Sequence, residues 1–501
     1  MDRTPGLAAL LLASLTLDVP FAAAAAAATQ DVRIDHVTVI SPERSAPLTD
    51  ANVLIHDGHI VSLSAHEKTA AISLDGKGLY LTPGLIDSHV HLGEIPGMTG
   101  EQEAAHPDIA RAARDQIPLS YLLHGFTTLV DLVDWAGGIK AWNAHPLKPD
   151  TFFCGPTPVM DGYPMVYVPK PQRYQGFSYM LIEPGTPAPE GIDPREHTPA
   201  AVVTRMKADG MICVKTFFER GFGDMHDLPV PRAETIRELV QAAHAAGLPV
   251  LMHANSTEAQ AFAVATGVDI SAHGLWNWSE PAPNNEITGT NKKILDGVLA
   301  TNMGWQPTIQ VLYGLTGQFN PTFLADPLLK QVLPGNLIGW YGTPEGQWFH
   351  DQLAHGIDAA KAAHAGTTEA AVNQLFGELI EHVEHATAYL AARNGRLLFG
   401  TDTPSAPTYA NPPGLNGWLE MQHLVHAGVT PAQIFQAATL ANARALKLDH
   451  DVGTVEVGKK ANLLLLRADP TRSIQAYATI EKVILGGQVL DPARLRADRT
   501  H

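Results

Sequence analysis

Cysteine is scarce: the 501 residues hold two, Cys154 and Cys213. Two thiols without metal-binding spacing exclude a zinc finger and a disulfide-built scaffold, and both are expected to be buried as small hydrophobes. Positive charge is also in deficit. Lys and Arg number 34 against 51 Asp and Glu, the formal net charge is −17, and no Lys/Arg-rich block occurs. An acidic chain without a basic face argues against nucleic acid as a partner. After residue 28 no stretch is apolar and long enough to span a bilayer, and no internal repeat or low-complexity tract is present. What remains is an ordinary globular composition, 45% hydrophobic and 17% charged, with histidine abundant at 23.

The N-terminus has the form of an export signal. Arg3 precedes the apolar segment Leu7 to Leu17, and an alanine tract suited to signal-peptidase cleavage follows. Residues 1–28 are therefore expected to be a signal peptide, and the mature protein periplasmic or secreted. Residues 29–82 and 446–501 carry short alternating runs broken by turns. Asn52–His56 and His59–Leu63 flank Asp57-Gly58, a two-residue hairpin signal. Gly453–Val457 with Ala461–Leu466, and Lys482–Leu485 with Gln488–Leu490, predict two more hairpins. None is large enough to fold alone. The expectation is one small β-sandwich domain built from both chain ends.

Between them, residues 83–445 alternate apolar runs with helical patterns, as parallel βα units do. Eight strands are expected: the run after Pro83-Gly84 that ends in His89-Val90-His91, Phe126–Asp131, Thr151–Cys154, Met211–Phe217, Pro249–His253, Val268–His273, Met303–Thr308 and Arg396–Asp402. Helices are expected over 232–246, 257–266 and 369–393. The fold class is α/β, a (β/α)8 TIM-like barrel with insertions at 155–200 and 274–395.

Polar residues fall at the C-terminal ends of these strands. His89 and His91 close the first, Lys215 lies in the fourth, His253 ends the fifth, His273 the sixth and Asp402 the eighth. His89 and His91 are i and i+2 on a strand, so they share a face. Each residue has a structural alternative, as a satisfied core histidine, a turn aspartate or an interior salt bridge. Six of them at one barrel mouth point instead to a metal centre, for which zinc is the default ion. His124, His244, His350, His355, His382 and His385 fit helical or loop patterns and are expected at the surface.

Pro83-Gly-Leu-Ile-Asp-Ser-His-Val-His91, His253-Ala, His273-Gly, Gly400-Thr-Asp402 and Gly453-Thr-Val-Glu-Val-Gly-Lys459 resemble the amidohydrolase superfamily over nearly the whole mature chain. The branch they resemble holds prolidase-like, ochratoxin-amidase-like and imidazolonepropionase-like enzymes. The resemblance implies a metal-dependent hydrolase with two divalent ions, in which a metal-bridging hydroxide cleaves a non-cyclic amide. His89, His91 and Asp402 would hold one ion, and His253 and His273 the other. Lys215 would be carboxylated and bridge both, and Asp402 would move the proton. The alternative for Lys215 is an uncarboxylated lysine beside a single ion. A dipeptide or N-acyl amino acid is the expected small-molecule substrate. The alternatives are a mononuclear deaminase or cyclic-amide hydrolase, and a silent scaffold on the same fold. Tyr163, Tyr167, Arg220 and Trp276 are the candidate substrate contacts, with Arg220 placed to bind a carboxylate. A homo-oligomer is compatible with all of this.

Overall fold

A computed structural model describes residues 30–64, 70–134, 136–170, 172–222, 225–280, 286–356, 366–405 and 407–499. The expected signal segment lies outside these residues. Among the described residues no helix is long and apolar enough to cross a membrane.

The first five strands come from the N-terminal part: β1 Val32–Val39, β2 Leu48–His56, β3 His59–Ser62, β4 Ile72–Asp75 and β5 Tyr80–Pro83. Seven more follow: β6 Leu85–Val90, β7 Phe126–Asp131, β8 Asp150–Thr157, β9 Cys213–Phe217, β10 Val250–His253, β11 Ile270–Ala272 and β12 Gly304–Gln306. The C-terminal part adds β13 Leu463–Leu466, β14 Ile480–Leu485 and β15 Gln488–Leu490. Both chain ends join in one mixed eight-stranded sheet, ordered β15-β14-β13-β5-β1-β2-β3 with β4 on β1. By hydrogen bonding it is a single sheet, not two stacked ones. The alternation read in the sequence accounts for it: on β1, Val32, Ile34, Val37 and Val39 are fully buried and the residues between them are not. The Asp57-Gly58 hairpin and the β14–β15 hairpin form as expected. The hairpin expected over Gly453–Leu466 does not. Residues 453–457 form no strand, and β13 pairs with β5 and β14.

The middle of the chain forms a parallel sheet ordered β12-β11-β10-β9-β8-β7-β6. It curls, so that β6, β7 and β9 are buried throughout, as their near-continuous apolar runs require. The helices over Ala233–Ala245, Thr257–Thr266 and Thr368–Ala391 occupy the expected segments. Gly247 stops the first in the left-handed region at φ 79°.

The expected eighth strand is not one. Arg396 to Thr403 makes isolated parallel bridges, Trp305↔Leu397 to β12 and Val90↔Thr403 to β6, with backbone hydrogen bonds on both sides such as Leu398 N–H to Trp305 O (2.9 Å) and Asp402 N–H to His89 O (2.7 Å), but no continuous strand closes the curl. Asp402 has φ 57°, which breaks a regular ladder. Side chains take over part of the ladder's work. Asn442 donates to the carbonyls of Ile86 (2.9 Å) and Phe399 (2.7 Å), and Ser88 Oγ donates to Phe399 O at 2.6 Å.

Cys154 and Cys213 are disulfide-bonded, which corrects their expected role as free buried hydrophobes. They face each other in register on β8 and β9, 59 residues apart in sequence. The pairing was invisible because register between strands that far apart is a tertiary property. Three of the six histidines expected at the surface are partly buried instead, among them His350, whose ring lies 4.4 Å from Phe319. His124 is half-buried, and burial pushes its pKa down to about 4. His382 stacks on Trp278 at 4.1 Å and hydrogen-bonds the Trp276 carbonyl at 2.8 Å.

Candidate active site

β6 delivers His89 and His91 to the C-terminal mouth of the curled sheet, and the seam segment brings Asp402 across to them. Asp402 Oδ1 lies 2.8 Å from His89 Nε2 and 2.7 Å from His91 Nε2. Asp87 sets this approach. One of its oxygens accepts the backbone N–H of His89 (3.2 Å) and of Thr401 (3.1 Å), and the other accepts the Thr401 hydroxyl (2.6 Å). Gly400 allows the close passage: a Cβ there would sit 2.7 Å from His89 Cβ.

These three residues fit a divalent cation. One ligand atom from each lies within 4.8 Å of the others. Burial, helped by the charge of Lys215, pushes the His89 pKa down to about 3, so its ring is neutral with a lone pair to give. Burial opposes charge on Asp402 too, but the surrounding His89 and His273 and the hydrogen bonds from His89 and His91 hold its carboxyl well below the usual range. His91 is the counterpart: burial works against its charge, yet the bond to Asp402 raises its pKa. A proton on His91 offsets the carboxylate in the way a bound cation would.

The other expected residues gather at the same mouth. Lys215 on β9 is 1% exposed, with Nζ 3.4 Å from His89 Nε2. Burial pushes its pKa down to about 7. His253 ends β10, and His273 follows β11 at φ 107°. Their ring centroids are 4.5 Å apart, and His273 lies 5.0 Å from His89. His273 Nδ1 is paired with Thr308 Oγ1 at 3.0 Å.

The candidate substrate contacts divide. The Tyr163 ring lies tilted against the His253 ring at 4.7 Å, with Tyr167, Phe217 and Phe222 arrayed around it at 5.7–5.9 Å. Trp276 lies 4.9 Å from His273. Arg220 is committed elsewhere. Nε and Nη2 grip Glu258 at 2.9 and 2.7 Å, so the carboxylate-binding role expected of it is already filled by the protein's own glutamate. Arg173, in the insertion at 155–200, is likewise structural, bonded to Asp161 and to the carbonyls of Val166 and Val168.

Sequence reading passed over Asp87, Thr308 and Glu219. Asp87 lies two residues before His89, within the Pro83-to-His91 stretch. Glu219 closes an apolar run just after β9, the same signal that the histidines carry.

The chain belongs to the amidohydrolase family, which it matches over residues 80–274 and 361–490. It is 39% identical over 69 residues to an imidazolonepropionase of Geobacillus kaustophilus (strain HTA426), covering 13% of this chain and 16% of that protein. The matched stretch is thus a small part of the relative. Among solved structures it is similar to a Xaa-Pro dipeptidase with bound methionine in the active site, at TM-score 0.61 and 19% identity over 92% of this chain and 100% of that one. An ochratoxinase from A. niger gives TM-score 0.62 and 18% identity over 94% and 98%. At these identities the structures speak for the fold. The family uses divalent metals, and His89, His91 and Asp402 form a cluster of metal-ligand type in this chain.

Proposed function

We propose that the protein hydrolyses a non-cyclic amide bond of a dipeptide or N-acyl amino acid, using two divalent ions, zinc by default. The observation that carries this is the convergence of His89, His91 and Asp402 within 4.8 Å at the strand ends. Lys215 joins them as a carboxylated ligand shared with His253 and His273. Its depressed pKa, about 7, leaves much of the amine neutral near neutral pH. The neutral nitrogen can add to CO2 and lose a proton, giving a carbamate whose single negative charge is shared by two oxygens. When bound, the ions polarise a carbonyl and make water acidic enough to ionise near neutral pH. Asp402, kept ionised beside both histidines, takes the proton and returns it to the leaving nitrogen. Tyr163, Tyr167 and Trp276 contact the substrate as an aromatic wall. With Arg220 held by Glu258, the substrate's apolar or aromatic group is what this wall receives, and its carboxylate is met by a group other than Arg220.

A cyclic-amide hydrolase or a deaminase with one ion is the second reading, favoured by the imidazolonepropionase match. The domains are a signal peptide over 1–28, a barrel over 83–445 and a β-domain from 29–82 and 446–501. Export to the periplasm or medium agrees with the Cys154–Cys213 disulfide, since such bonds persist in oxidising compartments.

Metal per chain, measured on mature protein expressed with zinc and bicarbonate, tests the proposal. About two ions per chain supports it. One or fewer moves the single-ion reading ahead.

A further inference from the structure

His253 is clamped at the end of β10. Tyr163 lies 4.7 Å from its ring, centroid to centroid, and His273 meets it nearly edge-on at 4.5 Å. Its Nε2 edge faces Glu219 Oε2 at 3.3 Å and Asn255 Nδ2 at 3.3 Å. No hydrogen bond engages its Nδ1 among the described residues.

Glu219 is built into place. It is 8% exposed, and its second oxygen accepts the Gly221 N–H at 2.8 Å. Gly221 has φ 121°, and a Cβ there would collide with the Met225 carbonyl oxygen, so this turn requires glycine. The Leu228 N–H closes the turn onto Arg220 O at 2.9 Å. One carboxylate oxygen is therefore fixed by backbone, and the other is aimed at His253.

A carboxylate only accepts, so the histidine nitrogen facing it must carry the proton. That leaves Nδ1 of His253 with the lone pair. His273 is the complement: its Nδ1 is engaged by Thr308, which leaves Nε2 to coordinate. The Asn255 amide favours the opposite His253 tautomer, but a bond to a carboxylate is the stronger of the two.

We infer that Glu219 is a positioning residue, which fixes the Nε2–H tautomer of His253 and so presents Nδ1 to the second divalent ion. Carboxylates that hold a ligating imidazole by its far nitrogen orient the ring and raise its basicity. The inference rests on the two-ion reading above.

The test is an equilibrium titration of the chelator-stripped full chain with Zn2+, repeated with Co2+ to follow its ligand-field bands, on wild type, Glu219→Ala, Glu219→Gln and Asn255→Ala. Glu219→Ala is expected to weaken the second ion about 10- to 100-fold and leave the first unchanged. Glu219→Gln, whose carbonyl still accepts the N–H, is expected to restore most of that affinity and the wild-type cobalt spectrum. Asn255→Ala is expected to change little. The inference is overturned if Glu219→Ala binds both ions as wild type does, or if it loses both together with its melting transition. It is also overturned if Glu219→Gln fails as badly as Glu219→Ala, which would make the carboxylate itself a ligand, or if Asn255→Ala is the variant that loses the second ion. A wild type that takes up one ion defeats the two-ion reading and not the role of Glu219 alone.

Discussion

Replacing Asp87 with asparagine isolates the electrostatic strain under the metal-binding histidines. Asp87 is fully buried, and desolvation raises its pKa from 3.8 to about 7 despite the bonds from Thr401 and His89 that favour the charged form. The folded state thus holds this proton more tightly than the unfolded chain does. Stability from this group falls as pH rises from about 3.8 to about 7, and it is flat on either side. The shift of roughly three units corresponds to about 4 kcal/mol as an upper bound. Asparagine is nearly isosteric. Its carbonyl can accept from the backbone of His89 and Thr401, and its amide can donate to the Thr401 hydroxyl. In metal-free protein, the advantage of Asp87→Asn over wild type should grow by a few kcal/mol between pH 5 and pH 8. Urea unfolding at each pH measures it. Restoring zinc should shrink the difference, because nearby cations favour the carboxylate. Asp87→Leu separates charge from hydrogen bonding: it removes the acceptor for two buried N–H groups and should destabilise by about 1–3 kcal/mol for each. A wild-type-to-Asn difference that stays constant from pH 5 to 8 refutes the protonated Asp87.

Three further outcomes follow from the same geometry. Asp402→Asn, with metal restored, should lower turnover about 10²- to 10⁴-fold, measured as kcat, because the amide cannot take the proton; unchanged turnover removes Asp402 from the chemistry. Arg220→Ala should cost less than about 1 kcal/mol in thermal unfolding, since its partner Glu258 is exposed, and should leave KM for N-acyl amino acids nearly unchanged. A KM raised tenfold or more would mean that Arg220 leaves Glu258 for the substrate. Replacing Cys154 and Cys213 together by alanine should lower stability by about 4 kcal/mol, the loop-closure value for a 59-residue separation. Denaturant midpoints with and without reductant check it, and a wild-type midpoint insensitive to reductant would contradict the bond.

The strands and the ligand-type residues were legible because each depends on a single segment. An apolar run that stops at His253 or His273 declares both a buried strand and a polar end, and the structure puts His89, Lys215, His253, His273 and Asp402 at one mouth. The errors all concern partners. Arg220 was legible as a cation after a strand, but its neutralisation by Glu258 depends on how the next βα unit packs. Cys154 and Cys213 were legible as buried, but their bond depends on the register of β8 against β9. The seam at Arg396 to Thr403 has the composition of a strand. It keeps backbone hydrogen bonds to β6, Asp402 N–H to His89 O among them, but the left-handed backbone of Asp402 stops it from being a regular strand, and Asp87, Ser88 and Asn442 add side-chain bonds across the seam. Glu219 belongs with these cases: a buried acid reads from sequence as one more polar strand end, and only the facing nitrogen of His253 tells whether it binds an ion or orients the residue that does. Periodicity gives the burial of a polar group, while its chemistry is decided by the loop that comes to meet it.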